Sequence, residues 1–106
     1  DNSKRATMAR AAEQAADMVC LTSDNPRSED PLQILAHMQQ GLQHPSAAKV
    51  QLDRALAIAD TIAQATASDV VLIAGKGHET YQEIQGVRHP FDDRAVLLET
   101  FLVLNV

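Results

Sequence analysis

A chain of 106 residues with 45% apolar side chains is long enough for one globular domain that buries its own core without disulfides or metal. Its formal charge of -5 and its scattered set of 9 Lys and Arg residues exclude a sequence-independent grip on nucleic acid, which needs clustered cations to displace counterions. No apolar run approaches the roughly 20 residues that span a bilayer, and no charged head, apolar stretch and cleavage site marks a signal peptide, so no membrane insertion is expected.

The core has to be aliphatic, because Tyr81, Phe91 and Phe101 are the only aromatic residues. Cys20 is the one cysteine, and inside an apolar run it reads as a buried, reduced thiol of a cytoplasmic protein. The chain opens on Asp1 without an initiator methionine, and "DNSKR" has the character of a loop interior, so a fragment of a larger protein is expected.

In chain order, periodicity predicts a helix over Arg5 to Ala16 with Met8, Ala12 and Ala15 on one face and Asn2 or Ser3 as its cap. Asp17 introduces "MVCLT", Met18 to Thr22, a strand-length and mostly apolar run. The polar stretch "SDNPRSEDP", Ser23 to Pro31, follows. Its end prepares a second helix, with Asp30 as N-cap, Pro31 at the first position and Gln33 where a capping-box partner sits. Ile34, Leu35 and Met38 carry that helix and Gly41 ends it. Residues Gln43 to Ala48 read as a loop, Lys49 to Gln51 as a short strand, and Asp53 as the cap of a third helix through Thr66.

The opening pattern then returns. "SDVVLIAGKGHE" repeats the helix end, aspartate, apolar strand and polar loop of "ADMVCLTSDNPR", placing a strand over Val70 to Ala74. "TYQEIQGVRHPF" predicts a hairpin turning near Gly86, and Asp92 or Asp93 caps a final helix carrying Val96, Leu97, Phe101 and Leu104. Strands that are apolar without alternation are covered on both faces, and helices between them favour right-handed parallel crossovers. The predicted fold class is therefore α/β, a mainly parallel sheet with helices on both faces and one antiparallel hairpin at its edge.

Ligands of such sheets bind beyond the carboxyl ends of the strands, where both polar loops fall. "DNPR" offers an acceptor in Asp24, an amide in Asn25, a stiffening proline and a guanidinium in Arg27 that can grip a carboxylate or phosphate through two parallel hydrogen bonds. The bland alternative is a solvated turn with Arg27 paired to Glu29 or Asp30. "AGKGHE", Ala74 to Glu79, lacks the spacing of a phosphate-binding loop and of the dinucleotide fingerprint. Its carbonyls and the Glu79 carboxylate suit an ammonium, whose three donors need acceptors. A cation and an anion at adjacent strand ends are complementary to an amino acid. His78 stands without paired ligands in His37, His44 or His89, so no metal site is expected. No nucleophile with its base can be named, and Asp92 with Asp93 reads as a helix cap rather than acid/base chemistry.

These segments together resemble the carboxy-terminal domain of the Mur ligases. The matching elements are "DNPRSEDP" at Asp24 to Pro31, "DRALAIA" at Asp53 to Ala59, "LIAGKGHETYQ" at Leu72 to Gln82 and "FDDR" at Phe91 to Arg94. They occur in the family's order across nearly the whole chain. The resemblance is to the branch that adds meso-diaminopimelate to UDP-N-acetylmuramoyl-L-alanyl-D-glutamate in peptidoglycan precursor synthesis. It implies a Rossmann-like domain over residues 1–106 of a three-domain, ATP-dependent, amide-forming ligase, in which ATP and Mg2+ are bound mainly by a central domain. In that family ATP phosphorylates the acceptor carboxylate, and the amine of the incoming amino acid attacks the acyl phosphate. The expected partners are meso-diaminopimelate, ATP and the UDP-MurNAc-dipeptide, with the protein a cytoplasmic monomer and this chain alone inactive.

Carried over by position, Asp24, Asn25 and Arg27 match the motif that holds the far carboxylate of diaminopimelate, and the Gly75 carbonyl and Glu79 match the partners of its far amino group. Relatives that add lysine lack arginine at the position of Arg27. A buried guanidinium left without its carboxylate costs about 2 to 5 kcal/mol, enough for at least roughly tenfold discrimination against lysine. Lys4 and Arg5 align with the basic end of a loop resembling "GGDRDKGKR" and are expected near ATP phosphates, although Asn2 replaces a lysine there. That loop's arginine, which helps hold the same carboxylate in the family, lies outside this sequence. A different class of function, a stand-alone sensor that binds an amino acid or nucleotide without turnover, predicts micromolar binding of diaminopimelate by the chain itself. Titration calorimetry separates the two.

Overall fold

The structure, a computed structural model, describes residues 2–75 and 79–104, with side chains described over 4–75 and 79–100. Helix α1 (Asn2–Ala15) leads to strand β1 (Cys20–Thr22), helix α2 (Pro31–Gln39), a short 3-10 turn, strand β2 (Lys49–Gln51) and helix α3 (Arg54–Gln64). A hairpin of β3 (Tyr81–Ile84) and β4 (Val87–Pro90) and helix α4 (Asp93–Leu104) complete the order. β1 and β2 pair in parallel, Cys20 opposite Lys49 and Thr22 opposite Gln51, while β3 and β4 pair antiparallel, Tyr81 opposite Pro90. This is the predicted α/β class.

The caps form where local chemistry dictates. The Asp30 side chain accepts from the Leu32 N–H with Pro31 starting α2, and the Asp53 side chain accepts from the Leu56 N–H at the start of α3. Asp92 accepts from the Arg94 N–H at 2.9 Å, so Asp92 caps α4 and Asp93 is its first residue. The hairpin turns through Gln85 (φ 49) and Gly86 (φ 79), the left-handed pair that matches strand twist in a two-residue loop.

Alternation along β1 divides the helices between two layers. Leu21 is buried with Ala9 of α1, Leu35 of α2 and Leu42, and Val19, Met38 and Ala48 pack against that cluster. Cys20 points the other way, into a groove shared with Ala57, Asp60 and Thr61 of α3. It is half-buried rather than buried, and desolvation pushes its thiol pKa up, as expected of an unreactive thiol.

Four expectations about these elements are corrected. The backbone is helical from Asn2, so Asn2 and Ser3 lie inside α1 rather than ahead of it. The buried face of α1 is centred on Ala9 at 4% exposure, on the side that meets Leu21, Leu35 and Leu42, whereas Met8 is 54% exposed and Ala12 and Ala15 are also exposed. The approach of α2 to α1 is set by Gly41, where a Cβ would stand 1.9 Å from the Ala6 carbonyl oxygen. Val70 to Ala74 forms no strand: Val70 is 96% and Leu72 is 86% exposed, and the segment pairs with none of the described strands. Third-helix residues Ala65 and Thr66 lie beyond the end of α3. Phe101 and Leu104 lie outside the described side chains.

Candidate functional site

The DNPR loop leaves the carboxyl end of β1, and three residues fix it against the hairpin. The Gln82 side-chain amide donates to the Asp24 carbonyl at 3.0 Å, the Glu83 N–H donates to Asn25 Oδ1 at 2.7 Å, and the Arg27 N–H donates to the Glu83 carbonyl at 2.8 Å. The Gln85 N–H returns to the Arg27 carbonyl, which makes Arg27 and Ile84 a parallel bridge. Pro26 is buried within this seam.

Because Asn25 Oδ1 is committed to a backbone donor, its amide orientation is determined and Nδ2 must face outward. Nδ2 donates to Glu79 Oε2 at 3.0 Å, across a sequence separation that no local pattern links. The DNPR loop is thereby joined to Glu79, with one Asn25 side-chain N–H unpartnered among the described residues. Gly75, at φ 102, adopts a backbone that L side chains rarely take, and a Cβ there would meet open space. Lys76, Gly77 and His78 lie outside the described residues, so the rest of "GKGHE" and the His78 metal question fall there too.

Arg27 has its backbone in the left-handed region at φ 55 and its side chain exposed, with no side-chain partner among the described residues. The pairing with Glu29 or Asp30 does not form. Glu29 instead receives both Nη atoms of Arg5, at 2.9 and 2.6 Å, and Asp30 is spent on the α2 cap. The cost of about 2 to 5 kcal/mol for a buried, unpaired guanidinium therefore does not apply to Arg27 as it stands, exposed.

Arg5 also lies 3.3 Å from His37 Nδ1, and its hydrogen bond to Glu29 raises the guanidinium pKa against a smaller opposing effect of burial. Glu29 is held below the usual carboxylate range chiefly by the same hydrogen bond. Lys4 is exposed on the first turn of α1. Among the described residues no three His, Cys, Asp or Glu side chains gather to hold a metal ion.

Sequence reasoning missed Gln82 and Glu83, which build the seam, and the pair Arg54 and Asp93. Arg54 Nε donates to Asp93 Oδ1 and Arg54 Nη2 to Asp93 Oδ2, both at 2.7 Å, and Nη2 also reaches the Ala74 carbonyl at 3.3 Å. Gln82 and Arg54 were signalled by membership of the "LIAGKGHETYQ" and "DRALAIA" segments, Asp93 by "FDDR" and its place at the cap of the last helix, and Glu83 only by its place in the predicted hairpin.

Residues 1–77 match the family described as Mur ligase, glutamate ligase domain. Proteins named UDP-N-acetylmuramoyl-L-alanyl-D-glutamate--2,6-diaminopimelate ligase are similar. The one from Xanthomonas oryzae pv. oryzae (strain MAFF 311018) is 55% identical over 106 residues, covering 100% of this chain and 21% of the relative. The one from Cytophaga hutchinsonii is 50% identical over 101 residues, covering 93% and 21%. A solved structure of a ligase of the same name superposes with a TM-score of 0.93 at 48% identity, covering 100% of this chain and 22% of that one. The chain spans about a fifth of the length of the curated relatives it matches. With the family model matching most of its length and the same α/β arrangement in a solved relative, this chain belongs to the Mur ligase, glutamate ligase domain family.

Proposed function

We propose that residues 1–106 are the carboxy-terminal domain of a three-domain, ATP-dependent ligase that adds meso-diaminopimelate to UDP-N-acetylmuramoyl-L-alanyl-D-glutamate, and that this domain binds the amino acid. The observation that carries this reading is the Asn25 to Glu79 hydrogen bond. It joins a donor pair suited to a carboxylate, Asn25 and Arg27, to an acceptor pair suited to an ammonium, Glu79 and the Gly75 carbonyl. One end of meso-diaminopimelate presents both groups, and the similar ligases carry that amino acid in their names.

The domain's contribution to the reaction is positional. Holding the far carboxylate and ammonium fixes where the other amine points, and a fixed amine replaces a bimolecular encounter by a prearranged one. ATP and Mg2+ belong to the complete protein in this reading. Among the described residues no three His, Cys, Asp or Glu side chains gather to hold a metal ion, the Arg5 guanidinium is paired with Glu29, and Lys4 is exposed. The complete protein is proposed to act as a cytoplasmic monomer; no described helix is long and apolar enough to cross a membrane.

The test is Arg27→Ala in the complete protein. A lost pair of charge-assisted hydrogen bonds is worth about 1.5 to 3 kcal/mol, so KM for meso-diaminopimelate should rise about tenfold to a hundredfold while KM for ATP stays near its original value. The preference for meso-diaminopimelate over lysine should collapse by a similar factor. Unchanged amino-acid kinetics would overturn the assignment.

A further inference from the structure

Arg54 is the first residue of α3 and is 3% exposed. A cation at a helix N-terminus opposes the helix dipole, and burial adds a desolvation cost. The fold accepts both because Asp93, first residue of α4, meets the guanidinium with two parallel hydrogen bonds of 2.7 Å. Burial works against the Arg54 charge, but those bonds, the charge of Asp93 and the charge of Asp24 outweigh it, and its pKa is raised.

A buried ion pair is weak evidence for a stabilising role, since apolar side chains of similar volume often serve as well. An apolar side chain cannot hold a carbonyl oxygen. Arg54 Nη2 does so, donating to Ala74 O at 3.3 Å in the peptide unit immediately before Gly75. Gly75, at φ 102, has no Cβ to restrict it, and a Cβ built there would meet no atom within 4 Å, so nothing in its own chemistry fixes the direction of its carbonyl. Asp24, whose charge favours Arg54, starts the opposite loop of the pocket.

We infer that Arg54 is a positioning residue for amino-acid binding: oriented by Asp93, it pins the Ala74 carbonyl and so aims the Gly75 carbonyl at the ligand's far ammonium. This rests on the proposal that Gly75 and Glu79 receive that ammonium. It gives "DRALAIA" and "FDDR" a shared task, because each supplies one half of the clamp.

The experiment compares Arg54→Lys, Arg54→Met and Arg27→Ala in the complete protein, measuring KM for meso-diaminopimelate, KM for ATP, kcat and thermal unfolding. Lysine can keep an ion pair with Asp93 but cannot also hold Ala74 in the forked geometry, and methionine replaces the side chain by an apolar one. Both Arg54 variants should raise KM for meso-diaminopimelate about tenfold or more and leave KM for ATP within about twofold, as expected when a binding group is misaimed rather than the fold lost. Folded variants with unchanged KM for the amino acid would overturn the inference, as would parallel rises in both KM values. Failure of both Arg54 variants to fold would assign the pair to stability and overturn it as well. If Arg27→Ala raises KM and the Arg54 variants do not, the clamp fails alone; if Arg27→Ala also has no effect, the binding proposal is what has failed.

Discussion

The Arg27 N–H donates to the Glu83 carbonyl at 2.8 Å while Arg27 itself sits at φ 55, so the hairpin strand β3 holds a non-glycine residue in the left-handed region. That conformation costs roughly 1 to 2 kcal/mol for an L-residue with a Cβ, and the backbone bonds to β3 offset it. Arg27→Gly should therefore separate stability from binding. The urea midpoint is expected to stay level or rise, while KM for meso-diaminopimelate in the complete protein rises as for Arg27→Ala. A large loss of stability would show that the guanidinium, rather than the backbone, anchors the loop.

Asn25 works through both ends of its amide, Oδ1 to the Glu83 N–H and Nδ2 to Glu79. Asn25→Asp preserves the first contact and turns the second into two facing carboxylates. Like charges in contact favour protonation of one member, so an added group should titrate above the ordinary carboxylate range of about 4. The variant is expected to bind meso-diaminopimelate less tightly at neutral pH and to recover partly as pH falls. A pH series of KM checks it, and a flat series would refute it.

Gly41 lies where α2 meets α1, and an added Cβ would stand 1.9 Å from the Ala6 carbonyl oxygen, 2.6 Å from its carbon and 2.8 Å from its Cα. All three atoms are helix backbone, so the helices must separate. Gly41→Ala should destabilise the chain by about 1 to 3 kcal/mol, the cost of overpacking, read as a lower denaturant midpoint. A neutral result would mean that the contact between α1 and α2 yields freely.

Glu13 ties α1 to the loop after α2, Oε1 accepting from the Gln43 N–H at 2.8 Å and Oε2 from the His44 N–H at 3.0 Å. These bonds hold its pKa below the ordinary value. The unfolded state then binds the proton more readily, so the contribution is complete above the unfolded pKa of about 4.3 and is lost as pH falls through the lower folded value. Glu29, lowered by its hydrogen bond to Arg5, acts in the same direction. The melting temperature should fall on the acid side of about pH 4, and Glu13→Gln should flatten that fall. An equally steep decline in the variant would exclude Glu13 as a source.

Features carried by neighbouring residues were determined by the sequence itself. Asp30, Asp53 and Asp92 cap their helices because a short carboxylate reaches N–H groups within the next turn, and the hairpin turns at Gly86 because glycine takes positive φ without steric cost. The DNPR loop was likewise legible as a polar segment at the carboxyl end of β1. Tertiary structure alone decided which face of α1 is buried, because an alanine-rich helix carries little apolar contrast and the side that meets Leu21, Leu35 and Leu42 is that of Ala9. It also decided that Val70 to Ala74 joins none of the described strands, since a strand depends on hydrogen bonds to residues distant in sequence. The contacts of Asn25 with Glu79 and of Arg54 with Asp93 span 54 and 39 residues of sequence. No local periodicity encodes such a pair, so these contacts became visible only when the hairpin and the two helix N-termini were brought together.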